Sequence, residues 1–125
     1  MDTTAQRLAK LTDICLALPD AESFTYGQRH FRFVVGKKKF AYYLNDHHGD
    51  GRIGLWCKAA PGEQEALIGS DPEKFYSPPY VGVNGWVGVR LDLASVDWTE
   101  IAELVTESYR LLAPKRLVAR LASST

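Results

Sequence analysis

Between residues 28 and 58 the apolar side chains recur at every second position in three successive segments, the pattern of strands with one buried face. Residues 28–35 set Phe31, Phe33 and Val35 on one side and His30, Arg32 and Val34 on the other. Residues 39–44 group Phe40, Tyr42 and Leu44, and residues 52–58 group Ile53, Leu55 and Cys57. Gly36-Lys37 divides the first pair, where glycine tolerates the positive φ of a tight reversal, and the polar run Asn45-Asp46-His47-His48-Gly49-Asp50-Gly51 divides the second. Strands joined by connections this short are antiparallel neighbours, because a parallel crossover needs a dozen or more residues. The centre of the chain is therefore a meander.

The flanks change period. In residues 3–18, Leu8, Leu11, Cys15 and Leu18 recur at spacings of three and four, with Thr3 or Thr4 available as N-cap and Pro19 ending the run, which predicts an amphipathic helix. Pro61 suits the first turn of a short helix that Gly69 stops, and residues 70–79 hold too much proline and aspartate for a regular element. Asn84-Gly85, between residues 80–83 and 86–93, predicts a second hairpin on a type I′ turn. Asp97 with Glu100 opens a last helix whose apolar face runs through Ile101, Leu104, Val105, Ser108 and Leu112 to Pro114, with one or two further turns in 115–121. The expected fold is α+β in two layers: an antiparallel sheet with helices on one face, in the order α-β-β-β-α-β-β-α. Its other face, carrying some of Arg32, Ala41, Tyr43, Trp56, Lys58, Trp86 and Arg90, is expected to stay open.

A length of 125 residues suits one domain spanning 1–125, and 46% hydrophobic residues against 24% charged ones argue against disorder. Cys15 and Cys57 lie in no C-x-x-C or zinc-type spacing, so no disulfide framework, metal or cofactor is expected. With no signal-peptide pattern and no apolar run near the roughly 20 residues that span a bilayer, the expectation is a cytoplasmic protein without a membrane partner. Fifteen basic and fifteen acidic residues cancel, which removes any whole-molecule attraction to nucleic acid. The charges are nevertheless segregated. Residues 29–58 hold seven basic residues against two acidic, residues 59–108 hold two against nine, and Arg110, Lys115, Arg116 and Arg120 follow.

The ordered set Leu18-Pro19, Gly36-Lys37-Lys38-Lys39-Phe40-Ala41, Leu55-Trp56-Cys57-Lys58, Tyr80-Val81-Gly82, Gly85-Trp86-Val87 and Ser108-Tyr109 with Ala113-Pro114-Lys115 resembles the MmcQ/YjbR family of small bacterial proteins, over about residues 5–116. The resemblance implies a fold like the type III secretion chaperones and a DNA-binding role through two hairpin wings. Some relatives carry a purine-pathway formyltransferase label, but no glycine-rich phosphate loop stands in this chain.

On this basis the candidate contacts to double-stranded DNA are Lys37, Lys38, Lys39, Arg32 and Lys58, with Asn84 and Trp86 in the second wing; phosphate contacts of this kind carry little sequence preference. Lysines at an exposed turn also serve solubility and guard a strand edge, and Trp56 and Trp86 suit packing or a protein interface as well as a stacking groove. His47, His48, Asp46 and Asp50 are explained as a turn, with the adjacent imidazoles pointing apart. Ser108 is expected to bond back to its own helix, and Cys57 to act as a small apolar residue. No residue set marks an enzyme. Two alternatives remain: a chaperone-like module engaging a protein, or a second copy of itself, through the open sheet face, and a protein that binds a small ligand.

Overall fold

A computed structural model describes residues 3–123. The first helix, α1 (Thr4–Leu16), starts at Thr3, whose hydroxyl accepts from the Gln6 amide while the Gln6 side chain accepts from the Thr3 amide. Two orphan donors are thereby satisfied. Three strands follow, β1 (Glu22–Tyr26), β2 (His30–Val35) and β3 (Lys38–Asn45), and after a one-turn 3₁₀ segment at His47–Gly49 comes β4 (Ile53–Lys58). Helix α2 (Glu63–Ser70), the two-residue strand β5 (Phe75–Tyr76), a second 3₁₀ turn (Gly82–Asn84) and β6 (Trp86–Arg90) lead to α3 (Trp98–Leu112) and α4 (Lys115–Ser123). All six strands form one antiparallel sheet in the order β1-β2-β3-β4-β6-β5. The α+β class and the helix-covered sheet are as expected.

The main core lies between α1, α3 and one sheet face, where Leu11, Cys15, Phe33, Leu55, Val105 and Tyr109 are fully buried. Polar side chains tie the layers together. Arg7, buried on α1, donates to the carbonyls of Leu91, Leu93 and Ala94, and the Tyr109 hydroxyl donates to the carbonyl of Pro19 at 2.6 Å. Asp97 caps α3 by accepting from the Glu100 amide, but the Glu100 carboxylate turns to Lys74 at 2.8 Å instead of closing the box.

Three expectations are corrected. Strand β3 changes phase at a bulge: Phe33 faces Ala41 while Val34 faces Lys39, so Phe40 is the extra residue, and Phe40 and Ala41 both enter the core. Beyond that point Tyr43 joins the helix-covered face, and Tyr42 and Leu44 belong to the opposite one, the reverse of the simple alternation. Second, Asn84-Gly85 makes no type I′ hairpin. Asn84 ends a 3₁₀ turn, only Gly85 takes positive φ there, and the outer partner of β6 is β5, with Phe75 opposite Val89. Third, β1 is an additional edge strand.

Candidate functional site

The sheet face expected to be open is only partly so. One rung of side chains crosses all six strands: Phe24 opposite Arg32, Arg32 opposite Tyr42, Tyr42 opposite Trp56, Trp56 opposite Gly88, and Gly88 opposite Tyr76. Along this rung burial rises from Phe24, 46% exposed at the edge, to Trp56 at 4%. Leu44, Trp56 and Trp86 form a second, smaller core, with Tyr76 and Val81 packed upon it. The sheet is thus dry on both sides over β4 and β6.

Glycine makes this second core possible. A Cβ at Gly88 would run into the Tyr76 ring, and one at Gly54 would meet the Tyr76 hydroxyl. Both are outward-facing strand positions, where a missing side chain marks a close approach. Lying flat over them, Tyr76 accepts a hydrogen bond from the Trp56 indole N–H at 3.0 Å, and the Arg52 guanidinium sits 4.3 Å from the Tyr76 ring centre. Burial raises the Tyr76 hydroxyl above its ordinary pKa, so it stays protonated. Tyr42 completes the cluster at 6.2 Å from Trp56 and 5.7 Å from Trp86, centre to centre.

Beside this core lies a cleft of about 200 Å³, lined by Arg32, Lys39, Tyr42, His47, Trp56, Tyr80 and Val81. Strands β2 and β3 place its cations, because Arg32 and Lys39 share a face with Tyr42 once the bulge has reset the alternation. The His47–Gly49 turn supplies the imidazole. Left-handed conformations at Asp46 (φ +58°) and His48 (φ +53°) curl the chain until the His47 ring, 7% exposed, stands edge-on to Trp56 at 5.0 Å. The His47 and His48 rings lie 4.1 Å apart, so they do not diverge as they would in a strand. Burial, then the neighbouring imidazoles, holds His47 below its ordinary pKa. His30 is likewise lowered, first by burial and then by Arg29, and its Nδ1 accepts from the Asn45 amide at 3.0 Å. The cleft therefore combines two cations, aromatic walls and an imidazole disposed to be neutral.

The residues expected to touch DNA do not form one surface. Lys37 is exposed at the tip of the β2–β3 turn, and Lys38 and Lys39 flank opposite faces of β3 beside it. Among the described residues, none of Arg32, Lys37, Lys38 and Lys39 forms an ion pair. Lys58 lines a separate groove of about 730 Å³ between α2 and α3, together with Glu63, Glu103 and Glu107. Exposed Asn84 lines a third depression, and Trp86, 8% exposed, is packing. Tyr42, His47, Tyr76 and Tyr80 lay outside the expected set. Gly54 and Gly88 were the available signal, two glycines inside strand patterns on the outward side.

The obvious nucleophiles are otherwise engaged. Cys15 and Cys57 are fully buried, and burial pushes the Cys57 thiol up to about 12 and Cys15 higher still. Ser108 does not bond back to its helix: its hydroxyl donates to the Phe40 carbonyl at 2.7 Å and accepts from the Lys58 amide at 2.9 Å. Among the described residues no three of His, Cys, Asp and Glu gather as a metal-binding group, and no helix is long and apolar enough to cross a membrane.

The sequence profile of the YjbR family matches residues 16–111, which include all six strands, α3 up to Leu111, the basic hairpin and the cleft. The chain belongs to the YjbR family. Among solved structures, this YjbR chain is similar to the crystal structure of the Deinococcus radiodurans protein DR2400, which carries a DUF419 domain. That match has a TM-score of 0.72 and 24% identity over 98% of this chain and 92% of the other, a likeness of fold. No curated protein matches.

Proposed function

We propose that this YjbR-family protein is a non-catalytic nucleic-acid-binding protein that grips phosphates with the β2–β3 hairpin. The observation that carries this reading is the hairpin itself: Lys37, Lys38 and Lys39 are exposed at its tip, Arg32 lies beside them, and none of the four has a carboxylate partner among the described residues. Glu63, Glu103 and Glu107 line the separate α2–α3 groove, while Glu22 shares a rung with Val34 and Lys39 and Asp46 and Asp50 flank the His47 turn, so the attraction for a phosphate chain is local to the lysine tip of a molecule of zero net charge. Backbone contacts of this kind fix position without reading bases. Lys58 and Asn84, in other depressions, and buried Trp86 add nothing to this grip. The burial of both thiols and the engagement of Ser108 favour binding without chemistry.

The test is fluorescence anisotropy of a labelled random-sequence duplex. Three or four phosphate contacts imply that binding weakens roughly 40- to 150-fold between about 50 and 200 mM salt. Changing Lys37, Lys38 and Lys39 together to Ala should flatten the slope of log affinity against log salt by about 2 to 3. Equal binding by the triple variant, or no binding by wild type at low salt, overturns the reading.

A further inference from the structure

We infer that the cleft beside the hairpin takes a single nucleotide unit, its flat base entering among Tyr42, Trp56 and Tyr80 and its phosphate resting on Arg32 and Lys39. This rests on the phosphate-gripping reading for the strand that delivers the nucleotide, and it adds that the strand is single. The size of the cleft comes first. About 200 Å³ is smaller than the roughly 300–1,000 Å³ of sites that enclose a drug-sized molecule, so it accommodates one ring system while the sugar and phosphate stay at the mouth. Both cations line the cleft from β2 and β3 next to the lysine tip, Lys39 exposed and Arg32 half-buried. A ring and an anion presented together are what a nucleotide offers, and a base inside a duplex cannot present its face without leaving the stack.

Tyr80 is the second observation. The residue is 75% exposed, and its backbone holds φ +67° in the left-handed region that bulky residues rarely occupy. Pro79 precedes it, and its ring stands 6.4 Å from His47 and 6.1 Å from His48. Packing does not explain a large aromatic side chain left this bare in an unfavourable conformation. A stacking partner would cover it. His47, buried edge-on to Trp56, lines the same cleft, and an imidazole carries one donor and one acceptor that suit the edge of a base.

The experiment titrates wild type, Tyr80→Ala and Tyr80→Phe against a labelled single-stranded thymidine oligomer and against a duplex of the same length, with deoxythymidine monophosphate as competitor. Wild type should hold the single strand about 10-fold more tightly than the duplex. Tyr80→Ala should weaken single-strand binding at least 5-fold, from the loss of one stacked base, and leave duplex binding unchanged, whereas Tyr80→Phe keeps the preference. Displacement of the oligomer by the monophosphate supports the same cleft. Equal affinity for both forms, unaltered in Tyr80→Ala, overturns the cleft inference and leaves the phosphate grip standing. If neither nucleic acid binds but the monophosphate raises the melting temperature of wild type and not of Tyr80→Ala, the cleft stands, free nucleotide is its source, and the phosphate-gripping reading falls. If nothing binds, both fall.

Discussion

Ser108 repairs a gap in the sheet. The β3–β4 ladder ends at Ala41 opposite Cys57, and the next rung would join Phe40 to Lys58. The bulge pulls Phe40 out of that rung, and the buried Ser108 hydroxyl bridges the two groups instead, donating to the Phe40 carbonyl and accepting from the Lys58 amide. Ser108→Ala should cost about 1–3 kcal/mol, since the buried Phe40 carbonyl loses its donor and the half-buried Lys58 amide its acceptor. Urea denaturation checks it: the midpoint should fall with the slope unchanged. The sequence placed Ser108 on the apolar face of its helix but could not say where its hydrogen bonds go. That information is tertiary, because the acceptor is 68 positions away.

At the scale of elements, legibility followed locality. Helices α1 and α3 were readable because caps and apolar stripes are properties of neighbouring residues. β1 was not: its residues opposite Phe33 and Phe31 are the exposed Ser23 and Thr25, and Phe24 is on the other face, so no buried stripe exists to be read. The bulge at Phe40 reversed the expected faces of Tyr42 and Tyr43, and with them hid the cleft. Asn84-Gly85 misled because Phe75–Tyr76 takes the place beside β6 that the hairpin would have used. The connection between β3 and β4 carries its own prediction. His30 and His47 are both held below the ordinary histidine value of 6.5, so beneath that pH the unfolded chain takes up protons that the folded one resists. Stability is fully present above about 6.5 and is lost as pH falls toward the lowered folded values. Protonation at His30 Nδ1 would also forfeit the bond from the Asn45 amide. The melting temperature should drop between pH 7.5 and 5.5, and His47→Gln should drop less; a flat profile in wild type contradicts this.

For the whole molecule, the decisive feature is a single sheet that supports two cores of unequal kind. One is sealed by α1 and α3; the other is covered by Tyr76 and Val81, which belong to a two-residue strand and the irregular chain after it. Outside its own turns that cover is tied by the two rungs of β5 to β6, by the Arg90 amide to the Lys74 carbonyl, by the Ala59 amide to the Gly85 carbonyl and by the Gln64 side chain, which donates to the carbonyls of Gly82 and Trp86. Phe75 anchors β5 in the helix-side core, so the part that can open by itself is the chain after β5. Under native conditions the amides of Val81, Gly82, Asn84 and Gly85 should therefore exchange with deuterium through a local opening. Those in the middle of β3 and β4 should exchange only when the entire chain unfolds. Uniform protection across both groups would argue against independence. The protein is then a sheet with a permanent side and a negotiable one, and Trp56 reports on the negotiable side: its indole N–H keeps its hydrogen from solvent only while Tyr76 lies in place.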